Sequence, residues 1–173
     1  MKYFIQYIKK TLRFLLKPLS FIPAILIIIM IFNFSGQEGV RSASLSRWVS
    51  TLIVRVINVL RGRVYSPYQL ENMVTLIHPY VRKLAHVTEF FLLAVSVALP
   101  MYVMKIRGFF HTFLSFFICV MVAVLDEYHQ TFVYGRSGSP RDVLIDSIGI
   151  LIGVIVTRIL GFVGRKTIFR WLA

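Results

Sequence analysis

Four stretches of the chain are apolar enough to demand a home in lipid: Leu19 to Phe34, Leu84 to Met104, Phe109 to Leu125 and Val143 to Val163. A bilayer's hydrocarbon core, about 30 Å thick, takes about 20 apolar residues as a helix. The first run is short of that, but flanking residues can snorkel to the interface. Lipid offers the backbone no hydrogen-bond partner, so each run must satisfy its own amides as a helix. At 57% hydrophobic and 16% charged over 173 residues, the chain is too apolar for an ordinary soluble domain. We therefore expect an all-α polytopic membrane protein, one domain over 1–173. A basic n-region precedes the first run, as in a signal peptide. No small-x-small cleavage site ends its apolar core, since Ser42-Ala43-Ser44 lies further on, so the run is expected to stay as a membrane span.

The loop from Ser35 to Lys83 is patterned rather than irregular. Leu45, Trp48, Val49, Leu52, Ile53, Val56, Ile57 and Leu60 form a helical stripe, with Ser46, Arg47, Ser50, Thr51, Arg55 and Asn58 opposite. A second stripe is Leu70, Met73, Val74, Ile77 and Val81, opened by Ser66-Pro67-Tyr68-Gln69, which fits a capping box with proline at the first helical position. Pro79 is expected to end or kink that helix. These are amphipathic helices near 45–60 and 67–81. They lie on the outer membrane surface or pack on the protein as a lid.

Charge placement sets the expected orientation. Lys2, Lys9, Lys10, Arg13 and Lys17 precede the first span, Lys105 and Arg107 occupy the tight turn between spans two and three, and Arg158, Arg165, Lys166 and Arg170 end the chain. The positive-inside rule then puts both termini in the cytoplasm. The long loop carries seven basic residues and weakens the contrast, but long loops count for less. The net charge of +13 flanks hydrophobic spans, where it suits anionic headgroups and not nucleic acid. Cys119, the one cysteine, sits in an apolar run, which excludes a disulfide framework.

Five of the seven acidic residues gather in two windows at the ends of these spans. One runs from Arg82 and Lys83 through His86 to Glu89. The other runs from Asp126, Glu127 and Gln130 through Arg136 and Arg141 to Asp142 and Asp146. Carboxylates at membrane depth are expensive and usually mark function. His86 and Glu89 share a helix face, as do Asp126 or Glu127 with Gln130. Asp142, Asp146, Gly149 and Gly153 follow spacings of four, three and four. The two acids thus share the small-xxx-small face on which neighbouring helices approach, and point into the bundle.

The pattern Arg82-Lys83-x-x-His86-x-x-Glu89-Phe90, then Asp126-Glu127-x-x-Gln130-x-Phe132-x-x-Gly135-Arg136, then Asp142-x-x-x-Asp146-x-x-Gly149-x-x-x-Gly153, resembles the VanZ-like family of bacterial membrane proteins. Phe34-Ser35-Gly36-Gln37 through Ser44-Leu45-Ser46 is similar to what that family shows after its first span. Tyr134 departs, standing where many members have proline. The resemblance covers residues 20 to 160. It implies a small multi-pass protein of the bacterial plasma membrane, with a founding member linked to resistance to the glycopeptide teicoplanin. It implies no reaction.

Three roles remain open for the cluster. An outward pocket with Arg82, Lys83, Arg136 and Arg141 at its mouth would hold an anionic envelope component, lipid-linked or peptidoglycan-related. Its binding set is Arg82, Lys83, His86, Glu89, Asp126, Glu127, Gln130, Arg136, Arg141, Asp142 and Asp146. Alternatively His86 acts as acid or base with Glu89, Asp126 or Glu127 beside it, although Ser137 and Ser139 make poor nucleophiles. Or the charges form a structural network alone. His86, Glu89, Glu127 and His129 are suitable metal ligands, but residues 127 and 129 do not share a regular helix face, so no metal or cofactor is expected. Membrane lipids are the expected partners, and the oligomeric state is not legible.

Overall fold

The computed structural model describes residues 17–37, 39–62 and 65–166, and they are helical apart from short connections. Lys2, Lys9, Lys10, Arg13 and Arg170, used above for orientation, lie outside them. A 3-10 turn at Pro18–Phe21 leads into α1, Ile22–Ser35. Its isoleucines are mediocre helix formers in water. Lipid removes the alternatives, and the helix wins. Then come α2 (Gly39–Leu60), α3 (Pro67–Val103), α4 (Gly108–Gln130) and α5 (Pro140–Lys166).

The helix ends follow local chemistry. Past α2, Gly62 takes φ 59°, a left-handed conformation that glycine adopts freely. The capping box at the start of α3 is present: Ser66 Oγ accepts from Gln69 N at 3.3 Å, and Ser66 N donates to Gln69 Oε1 at 3.0 Å. The far end of α3 closes in a Schellman motif. Lys105 is left-handed at φ 67°, its N–H bonds Tyr102 O at 3.1 Å, and Ile106 N bonds Met101 O at 3.1 Å.

At 37 residues α3 is about 55 Å long, well beyond the about 30 Å of hydrocarbon. This corrects the expectation of a separate amphipathic helix at 67–81 followed by a span from 84. The two are one helix, and Pro79 lies inside it. Proline costs a helix one hydrogen bond, here to the Thr75 carbonyl, and about 3 kcal/mol. Packing along both flanks offsets that cost. Val74 is buried, and His78 Nε2 meets Ser46 Oγ at 2.9 Å and the Ala43 carbonyl at 3.2 Å.

The face that α2 turns toward α3 also differs from expectation. Ser46, Ser50 and Val54 are buried, although both serines were placed on the polar side. Leu45, Trp48, Leu52 and Val56 of the predicted apolar stripe are exposed. Small residues at four-residue spacing let two helices approach closely, which outweighs polarity where the surroundings are apolar.

The same inversion organises the remaining bundle. α4 buries His111, Ser115, Cys119, Ala123 and Glu127 on one face, while Phe109, Phe113 and Phe117 stack outward with ring centroids 6.0 Å apart. His111 is buried, and its Nε2 donates to the Ala98 carbonyl at 2.9 Å. The closest-packed pair is α3 with α5, which run parallel because α4 carries the chain back between them. Val87 faces Gly149, Phe91 faces Gly153 and Tyr102 faces Gly161. The predicted small-residue face of α5 is thus the face against α3. Between them lie Phe90, Leu93, Ala94, Val97, Ile150 and Val154, all buried.

Five described helical segments are long and apolar enough to cross a membrane: Pro18–Ser35, Ala43–Leu60, Pro67–Tyr102, Gly108–Gln130 and Pro140–Val163. Length and composition therefore admit five crossings where the sequence led us to expect four.

A Cβ at Gly149 would stand 2.2 Å from the Val87 carbonyl oxygen, a backbone atom that cannot swing aside. Gly149→Leu is expected to cost about 1–3 kcal/mol or more through overpacking. Ile152→Leu, on the exposed side of the same helix, should be nearly neutral. Thermal melting of the two purified variants in detergent checks the contrast. Equal melting points would show that α3 and α5 do not depend on this contact.

Candidate functional site

The polar residues converge where α1 ends, α4 ends and α5 begins, beside residues 82–89 of α3. Helix ends bring these groups together because the last carbonyls and first amides of a helix lack partners within it. Glu127, near the end of α4, accepts a hydrogen bond from Ser139 N at 2.8 Å. Ser139 in turn caps α5, its Oγ accepting from Arg141 N at 3.2 Å and its carbonyl from Asp142 N at 2.9 Å. The loop lies so close to α4 that a Cβ on Gly138 would stand 2.3 Å from the Glu127 carbonyl oxygen. Asp142, in the first turn of α5, suits the positive end of that helix and pairs with Lys83.

Arg136 does the corresponding work for α1. Its Nε donates to the Gln37 carbonyl at 3.1 Å and its Nη2 to the Phe34 carbonyl at 2.9 Å. A cation at a helix C-terminus satisfies orphan carbonyls and suits the local dipole. The third nitrogen, Nη1, is buried with no hydrogen-bond partner among the described residues. Burial pulls the Arg136 guanidinium below its ordinary pKa and Arg82 adds to that, against the opposing pull of Asp126, Glu127 and Glu89.

Two cavities flank this junction. The first, about 270 Å³, is polar. Its lining includes Arg82, Lys83 and His86 from α3, Glu127 and Gln130 from α4, Arg136 and Ser137 from the loop, and Asp142 and Asp146 from α5. The second, about 560 Å³, is a groove between α2 and α3 whose walls include Leu45, Val49, Ile53 and Leu84, with Glu89 also on its lining.

Of the eleven residues in the predicted set, eight line the polar cavity. Glu89 lies on the groove instead, and the structure places Asp126 and Arg141 on neither. Asp126 is fully buried and accepts from Gln130 Nε2 at 2.9 Å through Oδ2, while its Oδ1 has no hydrogen-bond partner among the described residues. Arg141 is exposed. Of the acids proposed to orient His86, Glu89 comes nearest to doing so, with Oε2 3.8 Å from Nδ1, an ion-pair separation too long for a hydrogen bond. His129 turns away toward α1, its ring centroid 5.7 Å from that of Phe32. Among the described residues no group of three His, Cys, Asp or Glu side chains gathers to hold a metal. Sequence reasoning missed two supports of the site. The period-four stripe from His111 to Glu127 was readable in principle. The reach of Arg136 to the α1 carbonyls was not, because nothing local announces it.

The four helices that meet here, and the hairpin of α2 on α3, fall within a segment that a family model recognises. The model described as VanZ/LLP1 matches residues 20–161. The chain belongs to this family. No curated protein and no solved structure matches it. The VanZ/LLP1 match spans the polar cavity and the groove alike, from the start of α1 to the last turns of α5.

The Glu127 bond to Ser139 gives a test of how this VanZ/LLP1 site is held. Glu127→Ala leaves a half-buried backbone N–H without its acceptor, at a cost of about 1–3 kcal/mol. Glu127→Gln keeps an oxygen there and should recover most of that loss in a thermal melt. If Gln and Ala melt alike, the hydrogen bond is not what Glu127 supplies.

Proposed function

We propose that this integral membrane protein holds an anionic component of the bacterial cell envelope, lipid-linked or peptidoglycan-related, in the polar cavity, and thereby alters susceptibility to glycopeptide antibiotics. In this reading α1, the second half of α3, α4 and α5 cross the plasma membrane. Both termini lie in the cytoplasm, and the cavity opens toward the outside. Counting about 20 residues back from the end of α3 puts the membrane boundary near Leu84. The first half of α3 and the attached α2 then stand at or beyond the outer surface.

The observation that carries the proposal is the uneven pairing of charge. Lys83 is occupied by Asp142, and Glu127 by Ser139 N. Arg136 Nη1 is buried with no hydrogen-bond partner among the described residues, and Arg82 and His86 line the same cavity. Buried donors left open are costly, and a phosphate or carboxylate supplies the acceptors they lack. His86 beside Glu89 also permits acid–base chemistry, but a nucleophile has not emerged: Ser139 is spent on capping α5, and Ser137 is an exposed loop residue.

Orientation is tested first. Ser137→Cys is expected to react with a membrane-impermeant thiol reagent on intact cells, because Ser137 lines the cavity and is exposed, whereas the native Cys119 is fully buried. Labelling that requires permeabilised cells would invert the topology and sink the envelope reading. Glu89→Gln then separates function from scaffolding, since it keeps volume and removes charge. A functional site predicts loss of any glycopeptide phenotype at normal membrane abundance. A structural network predicts that abundance and phenotype fall together.

A further inference from the structure

The polar cavity and the apolar groove are lined by different residues with three exceptions, and the exceptions are Arg82, His86 and Arg136. The seam between a wet pocket and a greasy one is therefore made of the two arginines and the histidine. Taking the anion-holding reading above as its basis, we propose that the ligand is a membrane lipid bearing a phosphate, seated with the phosphate at this seam and its hydrocarbon chain along the groove between α2 and α3.

The charges fix the position of the headgroup. Glu127, Asp142 and Asp146 line the polar cavity and not the groove, whose lining holds one carboxylate, Glu89, beside His86. They disfavour an anion deep in that cavity, and the guanidinium groups favour it at the seam. Arg82 and Arg136 present planar donor forks suited to phosphate oxygens. Arg136 Nη1 is buried with no hydrogen-bond partner among the described residues, so a small shift of the side chain would let it meet a phosphate oxygen while Nε and Nη2 stay on the Gln37 and Phe34 carbonyls. His86 lines both cavities, and its Nδ1 is buried with Glu89 Oε2 3.8 Å away.

The groove fixes the tail. Its volume of about 560 Å³ is in the range of small-molecule sites, roughly 300–1,000 Å³. Phe34, Leu45, Val49, Ile53, Val81 and Leu84 make its walls aliphatic and aromatic. It lies along residues 81–89 of α3, where the membrane boundary is expected. A lipid at that depth has its phosphate level with Arg82 and its chain level with apolar wall. A free phosphate would use the seam and leave the groove unused; a lipid uses both.

The test uses the full-length protein in a phosphate-free maltoside detergent. The probes are dioleoyl phosphatidic acid, dioleoylglycerol as its counterpart without phosphate, and glycerol 3-phosphate as its counterpart without tails. Phosphatidic acid is expected to bind about tenfold or more tightly than either counterpart. Ala85, small and exposed on the groove wall, can be enlarged without touching the polar cavity. Ala85→Trp should weaken phosphatidic acid about tenfold and leave glycerol 3-phosphate unchanged, and Ala85→Leu should fall between. Arg82→Ala should weaken both phosphates. Thermal melts confirm that each variant is folded. If Ala85→Trp is folded and binds phosphatidic acid like the wild type, the groove is not the tail site and this proposal falls, while the anion reading stands. If Arg82→Ala changes neither phosphate, or the wild type binds dioleoylglycerol as well as phosphatidic acid, the phosphate assignment falls and takes the anion reading with it.

Discussion

The close approach of α3 and α5 sets the position of everything else at the polar end. Gly149 and Gly153 remove the side chains that would hold the two helices apart, so that α5 backbone lies against the Val87 and Phe91 carbonyls. In lipid there is little hydrophobic drive to bring helices together, since acyl chains are as apolar as leucine. Contact must come from dispersion over closely fitted surfaces, and glycine is the residue that allows it. Because Asp146 and Asp142 sit one and two turns before Gly149 on the same face, the contact that joins the helices also delivers both acids to α3. Packing and site are therefore not separate features of α5.

Once these charges are gathered, each needs a partner, and several of the pairings found are at helix termini. Glu127 takes an amide of the α5 cap, Asp142 occupies the first turn of α5 and pairs with Lys83, and Arg136 takes two carbonyls at the end of α1. Such pairing makes a charged cluster tolerable near a membrane without making it a strong source of stability, because desolvation consumes much of the attraction. What distinguishes a site from a scaffold is the remainder. Among the described residues Arg136 Nη1 and His86 Nδ1, on residues shared by the two cavities, are left over, as is the acceptor Asp126 Oδ1. A network selected for packing alone has no evident reason to leave buried donors open where an apolar groove begins.

Much of this was legible because membrane helices obey few rules. Lipid forces each apolar run into a helix, so the helices could be read from hydropathy, while their number able to span, five among the described residues, could not. The Ser66–Gln69 box and the Gly149–Gly153 face rest on local spacing, and the structure places both where the sequence did. Two readings went astray, in whole or in part. Pro79 reads as a point where a helix ends or kinks, and of the two the helix does not end there, with Val74 buried and His78 bonded to α2 just before it. Ser46 and Ser50 read as a solvent face, but at a close helix crossing small residues turn inward, whatever their polarity. The Arg136 link to Phe34 and Gln37 spans about a hundred residues and has no local signature, so only the assembled fold could reveal it.

The uninterrupted α3 gives the molecule its final constraint. Were the helix broken at Pro79, α2 and the segment from Pro67 could swing independently of the bundle, and the groove would have no fixed second wall. As one rod, α3 carries His78, which meets Ser46 on α2, and Arg82 and His86, which face the cavity. Arg136 ties the loop of the polar cavity to the end of α1, from which α2 departs after a short connection. The two walls of the groove are thus anchored to the polar cavity by different routes, one through the continuous helix and one through a side chain. A ligand that draws on Arg136 acts on the same residue that holds the end of α1. In the proposed reading, occupancy of the seam and the setting of the groove are for that reason joined through Arg136.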